Sequence, residues 1–146
     1  MIHHLILRVV VKLVIPAIIV FALYVQFHGD FSPGGGFQAG AIMTAGFIAY
    51  GIVFGMDAVK RVCPPWFVQR MMGVGVLIFA GCGVGSMFFG GEFLNYNVFT
   101  PNYPTGGQHA GLLIVEFGVG VTVTGVLISV FYAFASRPPT LKDSDW

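Results

Sequence analysis

The sequence predicts an all-α integral membrane protein of four transmembrane helices, with both termini cytoplasmic. Three observations carry that expectation. The chain of 146 residues is 56% hydrophobic and only 9% charged, whereas soluble domains carry about 25% charged residues, too many for this surface to match. Four uncharged runs, Leu13–Gly29, Phe31–Met56, Met71–Gly91 and Phe117–Ser136, each approach or exceed the roughly 17–25 residues a helix needs to cross a bilayer core. Finally, with four spans, all seven basic residues (Arg8, Lys12, Lys60, Arg61, Arg70, Arg137 and Lys142) fall on one side. The connections 28–32 and 92–108 contain no Lys or Arg, and the positive-inside rule assigns the basic side to the cytoplasm.

The chain is read as one four-span membrane domain, 1–146, with helices at about 5–27, 34–55, 71–89 and 109–135. No A-x-A-like cleavage site follows Phe27, so the first run is read as a span rather than as a removed signal peptide. Pro16 should bend it, which packed membrane helices tolerate. Lys12 lies near its inner end, where the stem can snorkel to the headgroups. The short connection "HGDFSPGGGFQAG" makes spans one and two antiparallel neighbours. Ser32 and Pro33 supply N-cap and N1 chemistry, and Gly34, Gly35 and Gly36 form the first turn. A phosphate loop is excluded, because no Gly-Lys-Ser/Thr follows and no strand precedes. The inner stretch 57–70 reads as a loop stiffened by Pro64 and Pro65, with Trp66 at interface depth. The stretch 90–108 reads as an ordered aromatic cap, because Phe93, Leu94, Tyr96, Phe99 and Tyr103 favour burial.

Net charge of +1 gives no footprint for nucleic acid. Cys63 and Cys82 should sit at different depths as free thiols. His3, His4, His28 and His109 have no ligand spacing, so neither a metal nor another cofactor is expected.

Helix contact is the first job of the 21 glycines. Small residues let backbones approach closely in lipid, and Gly36/Gly40, Gly51/Gly55 and Gly81/Gly85 have small-xxx-small spacing. In the fourth span Gly111, Val115, Gly118, Thr122, Gly125 and Ser129 form a narrow seam. The opposite face carries Glu116 with His109, Leu112, Leu113, Gly120, Val123, Thr124 and Leu127. One face demands close packing and the other carries an acid that lipid does not accept, so partner polypeptides are expected to enclose this helix. An ionisable residue inside a span is by default a functional candidate. Glu116 therefore heads the candidates for an ion or proton path, with His109 about 10 Å away along the helix, and with Lys12, Asp30 and His28 as further candidates.

These residues also carry a family resemblance. The run Pro33, Gly34, Gly35, Gly36, Phe37, preceded by a short polar stretch, resembles the signature turn of the MnhB-type subunits of Mrp/Mnh multisubunit sodium/proton antiporters. "GSMFFGGEFL" at 85–94 and "LLIVEFGVGVTVTGVLISV" at 112–130 resemble the family's third-span end and acid-containing fourth span. The family's acid there is Asp. Glu116 is one methylene longer, so a coordination geometry does not carry over. The resemblance implies a non-catalytic, multi-pass subunit in a bacterial or archaeal cell membrane. It would work within a hetero-oligomer of about seven different membrane proteins that exchanges Na⁺ for H⁺. The alternatives are an Mrp-like subunit of a membrane-bound redox complex of the energy-converting hydrogenase type, and a purely structural scaffold. Any redox centre would then belong to partners, since this chain has no cluster-binding cysteine motif.

Overall fold

The computed structural model describes residues 2–29, 34–100 and 103–136. Among them the regular structure is entirely helical: α1 (Ile2–Phe27), α2 (Gly36–Phe54), α3 (Met56–Val62), α4 (Pro65–Phe88), a 3-10 turn (Tyr96–Phe99) and α5 (Pro104–Ala135). Four of these helices are long and apolar enough to cross a membrane.

Two helices begin earlier than the hydrophobic runs indicate, for one reason. α4 starts at Pro65 and α5 at Pro104, each with proline in the first turn. There its missing N–H would have been unpaired anyway, and its fixed φ suits the helix. Pro64 remains extended at φ −65°, ψ 147°, as a residue before proline prefers. The expected inner loop is thereby reduced to a few residues flanked by α3, with Asp57 in its first turn and Lys60 and Arg61 in its last. Those charges match the helix dipole.

α5 is the centre of the molecule. One face packs against α4 and the other against α2, while α1 packs chiefly on α2. The α4 contact is close because glycines remove the side chains that would separate the two backbones. A Cβ added at Gly118 would lie 2.9 Å from the Gly75 carbonyl oxygen, and one at Gly125 would lie 2.8 Å from Met72 Cγ. On the α2 side a Cβ at Gly40 would lie 2.7 Å from the Gly120 carbonyl oxygen. Thr44 and Thr124 flank that crossing. Each hydroxyl donates to the carbonyl one turn back on its own helix, Gly40 and Gly120, at 2.8 Å. In an apolar environment such local bonding removes the cost of a buried hydroxyl.

The two glycine seams of α5 are thus taken up by α4 and α2 of this chain, while Leu112, Ile114, Phe117, Val126, Val130 and Phe134 of the same helix stay exposed.

At the end carrying Lys12 and Lys60, Val59, Cys63, Val68, Ile128 and Tyr132 form a small buried core. The Tyr132 hydroxyl donates to the Cys63 carbonyl at 2.7 Å. Lys60 Nζ donates to Ser136 Oγ at 3.1 Å, and Lys12 Nζ lies 5.8 Å from the Phe54 ring centroid. At the opposite end, the stretch after α4 folds back as a partial cap. Ser86 Oγ donates to the Gly83 and Glu92 carbonyls at 2.7 and 2.9 Å. Tyr96 is buried, whereas Phe93 and Tyr103 stay exposed. Of the five residues expected to bury, only Tyr96 is buried, Leu94 and Phe99 being half-buried.

Candidate functional site

The first turn of α2 meets α5 well along its length. Gly36, the first residue of α2, lies against the Glu116 backbone, where a Cβ would overlap the carbonyl oxygen and come within 2.9 Å of the Gly120 nitrogen. Glu116 is twelve residues past Pro104, about 18 Å along the axis at 1.5 Å per residue. The start of α2 is therefore recessed by that distance from the N-terminal end of α5, and the two helix pairs are staggered.

Glu116 uses that recess. Its side chain is half-buried and directed at the turn. A Cβ on Gly29 would lie 2.6 Å from Oε2, and one on Gly35 would lie 3.1 Å from Oε1. The glycines are what let the chain close around the carboxylate. Gly35 has a second reason to be glycine. It precedes α2 at φ 132°, ψ −176°, a conformation open essentially to glycine alone. α2 has no side-chain cap at this residue and no acid in its own first turn. The Glu116 carboxylate, brought from another helix, sits beside the residue that precedes the first turn of α2.

One turn further along α5, Gln26 of α1 reaches the same seam. Its Oε1 occupies the space that a Gly120 side chain would need. Gln26 is 6% exposed, and its Nε2 has no hydrogen-bond partner among the described residues. Sequence reading missed this residue, although the signal was present: an amide inside an otherwise apolar run.

The other candidates separate. His28 adjoins Gly29 at the turn, half-buried, its ring stacked on Tyr24 at 4.7 Å. His109 is exposed on α5, between Glu116 and the helix start. Lys12 stands near the middle of α1, fifteen residues before Phe27, about 22 Å away along the helix. It therefore does not join Glu116 in one cluster. Asp30 and Pro33 lie outside the described residues. Of the turn motif, Gly34 approaches the Val25 carbonyl, while the side chain of Phe37 points outward, 63% exposed.

The glycines chosen by spacing also divide. Gly36, Gly40, Gly111, Gly118 and Gly125 stand at close contacts, and Gly51 stands against the Phe131 ring. Gly55 and Gly81 have nothing within 4 Å of an added Cβ among the described residues, and Gly85 has only the Phe99 ring at 4.0 Å. Gly55 is needed for its backbone instead: it links α2 to α3 at φ 91°. Within the chain, the contacts expected of Gly81 and Gly85 are made by Gly75, against Gly118 and Thr122, and by Gly83, against the Phe93 ring.

Comparison with known proteins shows the family. Residues 6–129 match the family described as a domain related to the MnhB subunit of the Na⁺/H⁺ antiporter. The chain belongs to the MnhB family. It is 32% identical over 135 residues to a protein of Staphylococcus haemolyticus (strain JCSC1435) named antiporter subunit mnhB2, covering 91% of this chain and 95% of that protein. A protein of the same name from Staphylococcus aureus (strain Newman) is 33% identical over the same coverage. MnhB membership and four apolar helices make this a multi-pass cell-membrane protein and a subunit of a multisubunit antiporter. The matched region takes in the turn glycines and Glu116.

Proposed function

We propose that this chain is a non-catalytic subunit of a hetero-oligomeric Mrp-type Na⁺/H⁺ antiporter, with both termini in the cytoplasm, and that Glu116 lines an ion or proton route at the recessed turn. Family membership supports the coarse part of this reading. The single observation that supports the fine part is the carboxylate of Glu116 lying against Gly29 and Gly35, at a level well inside α5. A carboxylate so placed can release and regain a proton or attract a cation. His28 adjoins Gly29, and His109 stands on α5 toward its N-terminal end. The orientation is supported by Arg8 and Lys12 in the first half of α1, Lys60 and Arg61 in α3 between the second and third spans, and Arg70 in the first turns of α4. No reaction chemistry is assigned to the subunit; its work is to place this group and to pack.

Glu116→Gln in the intact complex tests the route. It keeps the shape and removes the charge. The expected result is a complex of unchanged subunit composition with strongly reduced Na⁺-dependent proton movement in membrane vesicles, and Glu116→Asp should retain part of that movement. Loss of assembly would leave Glu116 as a structural cap of α2. Unchanged transport would remove it from the route altogether.

A further inference from the structure

Two polar side chains cross between the end of α1 and α5, one helical turn apart. In the first crossing, the Glu116 carboxylate takes the place that a side chain on Gly29 would need. In the second the roles are exchanged. Gln26, three residues before Gly29, fills the place that a side chain on Gly120 would need, its Oε1 2.5 Å and its Cδ 3.6 Å from an added Cβ. Glu116 and Gly120 are four residues apart on α5, about 6 Å along the axis. The amide and the carboxylate therefore stand in one seam, each opposite a glycine. Gln26 is buried, and its Nε2 has no hydrogen-bond partner among the described residues. It also borders a groove of about 240 Å³ between α1 and α4, which gives the side chain room to turn. We propose that Gln26 is the positioning residue of Glu116: its amide turns about the side-chain torsions and donates Nε2–H to the carboxylate once Glu116 has released its proton. The proposal rests on reading Glu116 as part of an ion or proton route.

A buried N–H without an acceptor is unfavourable, and an apolar side chain of similar size would fill the same space without that loss. The loss is offset only in a state that uses the donor. Two side-chain acceptors on α5 flank the level of Gly120, each one turn away: the Glu116 carboxylate toward the start of the helix and Thr124 Oγ1 toward its end. The Thr124 hydroxyl donates to the Gly120 and Gly40 carbonyls at 2.8 and 3.3 Å. A hydrogen bond to an ionised carboxylate is roughly twice as strong as one between neutral groups, so a charged Glu116 is the better acceptor. A carboxamide also suits both states of the acid, since Nε2–H donates to –COO⁻ and Oε1 accepts from –COOH. The proton itself passes between Glu116 and the route, and Gln26 only follows the charge. Gln38 of α2 also comes near, its Oε1 3.7 Å from an added Cβ on Gly35, but it is exposed and so not confined to this acceptor. Among the described residues the titratable groups on this side are His28, beside Gly29, and His109 on α5; α2 has none before Tyr50.

The test uses the intact complex in membrane vesicles and follows Na⁺-dependent proton movement across a range of pH. Gln26→Leu should assemble with unchanged subunit composition. It should move the pH of half-maximal exchange upward by about half a unit to one unit, roughly threefold to tenfold in proton concentration, the range of one interhelical hydrogen bond in lipid. Gln26→Asn, which keeps a shorter amide, should restore part of the difference. Infrared difference spectra of the complex between acid and alkaline pH read the contact itself. The carboxylate band assigned to Glu116 by its loss in Glu116→Gln should change frequency in Gln26→Leu. His28 and His109 are present in every variant, so differences between variants are not theirs. An unmoved pH profile or an unmoved band would overturn the proposal and leave the amide as a partner of Thr124. Should Gln26→Leu not assemble, Gln26→Met carries the same test, and loss of assembly in both would make Gln26 a residue of the fold and overturn the proposal too. Unchanged transport in Glu116→Gln would instead bring down the route reading, and this inference with it.

Discussion

The last and first helices of this small protein are opposites. α5 contains glycines throughout its packed stretch and buries 33% of its spanning window inside the chain; α1 has no glycine and buries 6%. α5 is shaped around other backbones of its own chain, and glycine is the residue that brings them close. α1 is rich in Val, Ile and Leu, a surface that suits lipid or another subunit equally well. The acid of α5 lies against Gly29 and Gly35 of its own chain. The unclaimed surface is on α1 and in the groove beside it.

The contrast breaks most readily at the α5 seams. Gly36→Ala would drive a Cβ into the Glu116 carbonyl, and Gly75→Ala would drive one into Thr122 and within 2.6 Å of the Gly118 carbonyl. Backbone cannot yield as a side-chain end can. Each should destabilise the fold by about 1–3 kcal/mol or more, read as reduced thermal stability in detergent and reduced folded yield. On α1, Leu13→Ala removes a side chain that is 73% exposed and should change the stability of the isolated chain by no more than about 0.5 kcal/mol. Equal losses at the two sites would erase the distinction between the helices.

A smaller effect sharpens the comparison at the basic end. Tyr132→Phe deletes the hydroxyl that donates to the Cys63 carbonyl, which ties the stretch between α3 and α4 to α5. A net loss of about 1 kcal/mol is expected, with the bundle intact. The same change should speed labelling of Cys63 by thiol reagents. That thiol is 3% exposed, and burial raises its pKa above the ordinary value, so it is slow to react while the core is closed. Unchanged labelling would show that the bond does not hold this core shut.

Much of this was legible in the sequence because lipid imposes few solutions. Four long apolar runs must be helices, and the glycine positions of the fourth declare a face that approaches a backbone. The owner of that backbone was not legible. A face built for close approach has the same residues whether its neighbour is the same chain or another, and here the neighbours at the glycine seams of α5 are α4 and α2. The stagger of the hairpins was hidden for a similar reason. It is set by the register of Gly36 on Glu116 and of Gly75 on Gly118, a pairing between distant segments that no local pattern encodes. The early starts at Pro65 and Pro104 were obscured because proline reads as a bend, although it is equally a good first helical residue.

The smallest expected effect comes from a glycine that the packing leaves alone. Gly81 shares its spacing with Gly85 but faces away from α5, with open space where a Cβ would go. The seam positions of α4 are instead Gly75 and, one side over, Gly83. Gly81→Ala should therefore leave the isolated chain as stable as before or slightly more so, since alanine is favoured over glycine in a helix interior by up to about 1 kcal/mol. Thermal unfolding in detergent reads this directly beside Gly75→Ala, on the same helix and with the same single methyl group added. A loss at Gly81 as large as at Gly75 would mean that glycine content, rather than the backbone opposite, sets the stability of α4. A loss seen only in the assembled complex would instead place a partner's backbone against Gly81, and extend to α4 the outward-facing role that α1 already has.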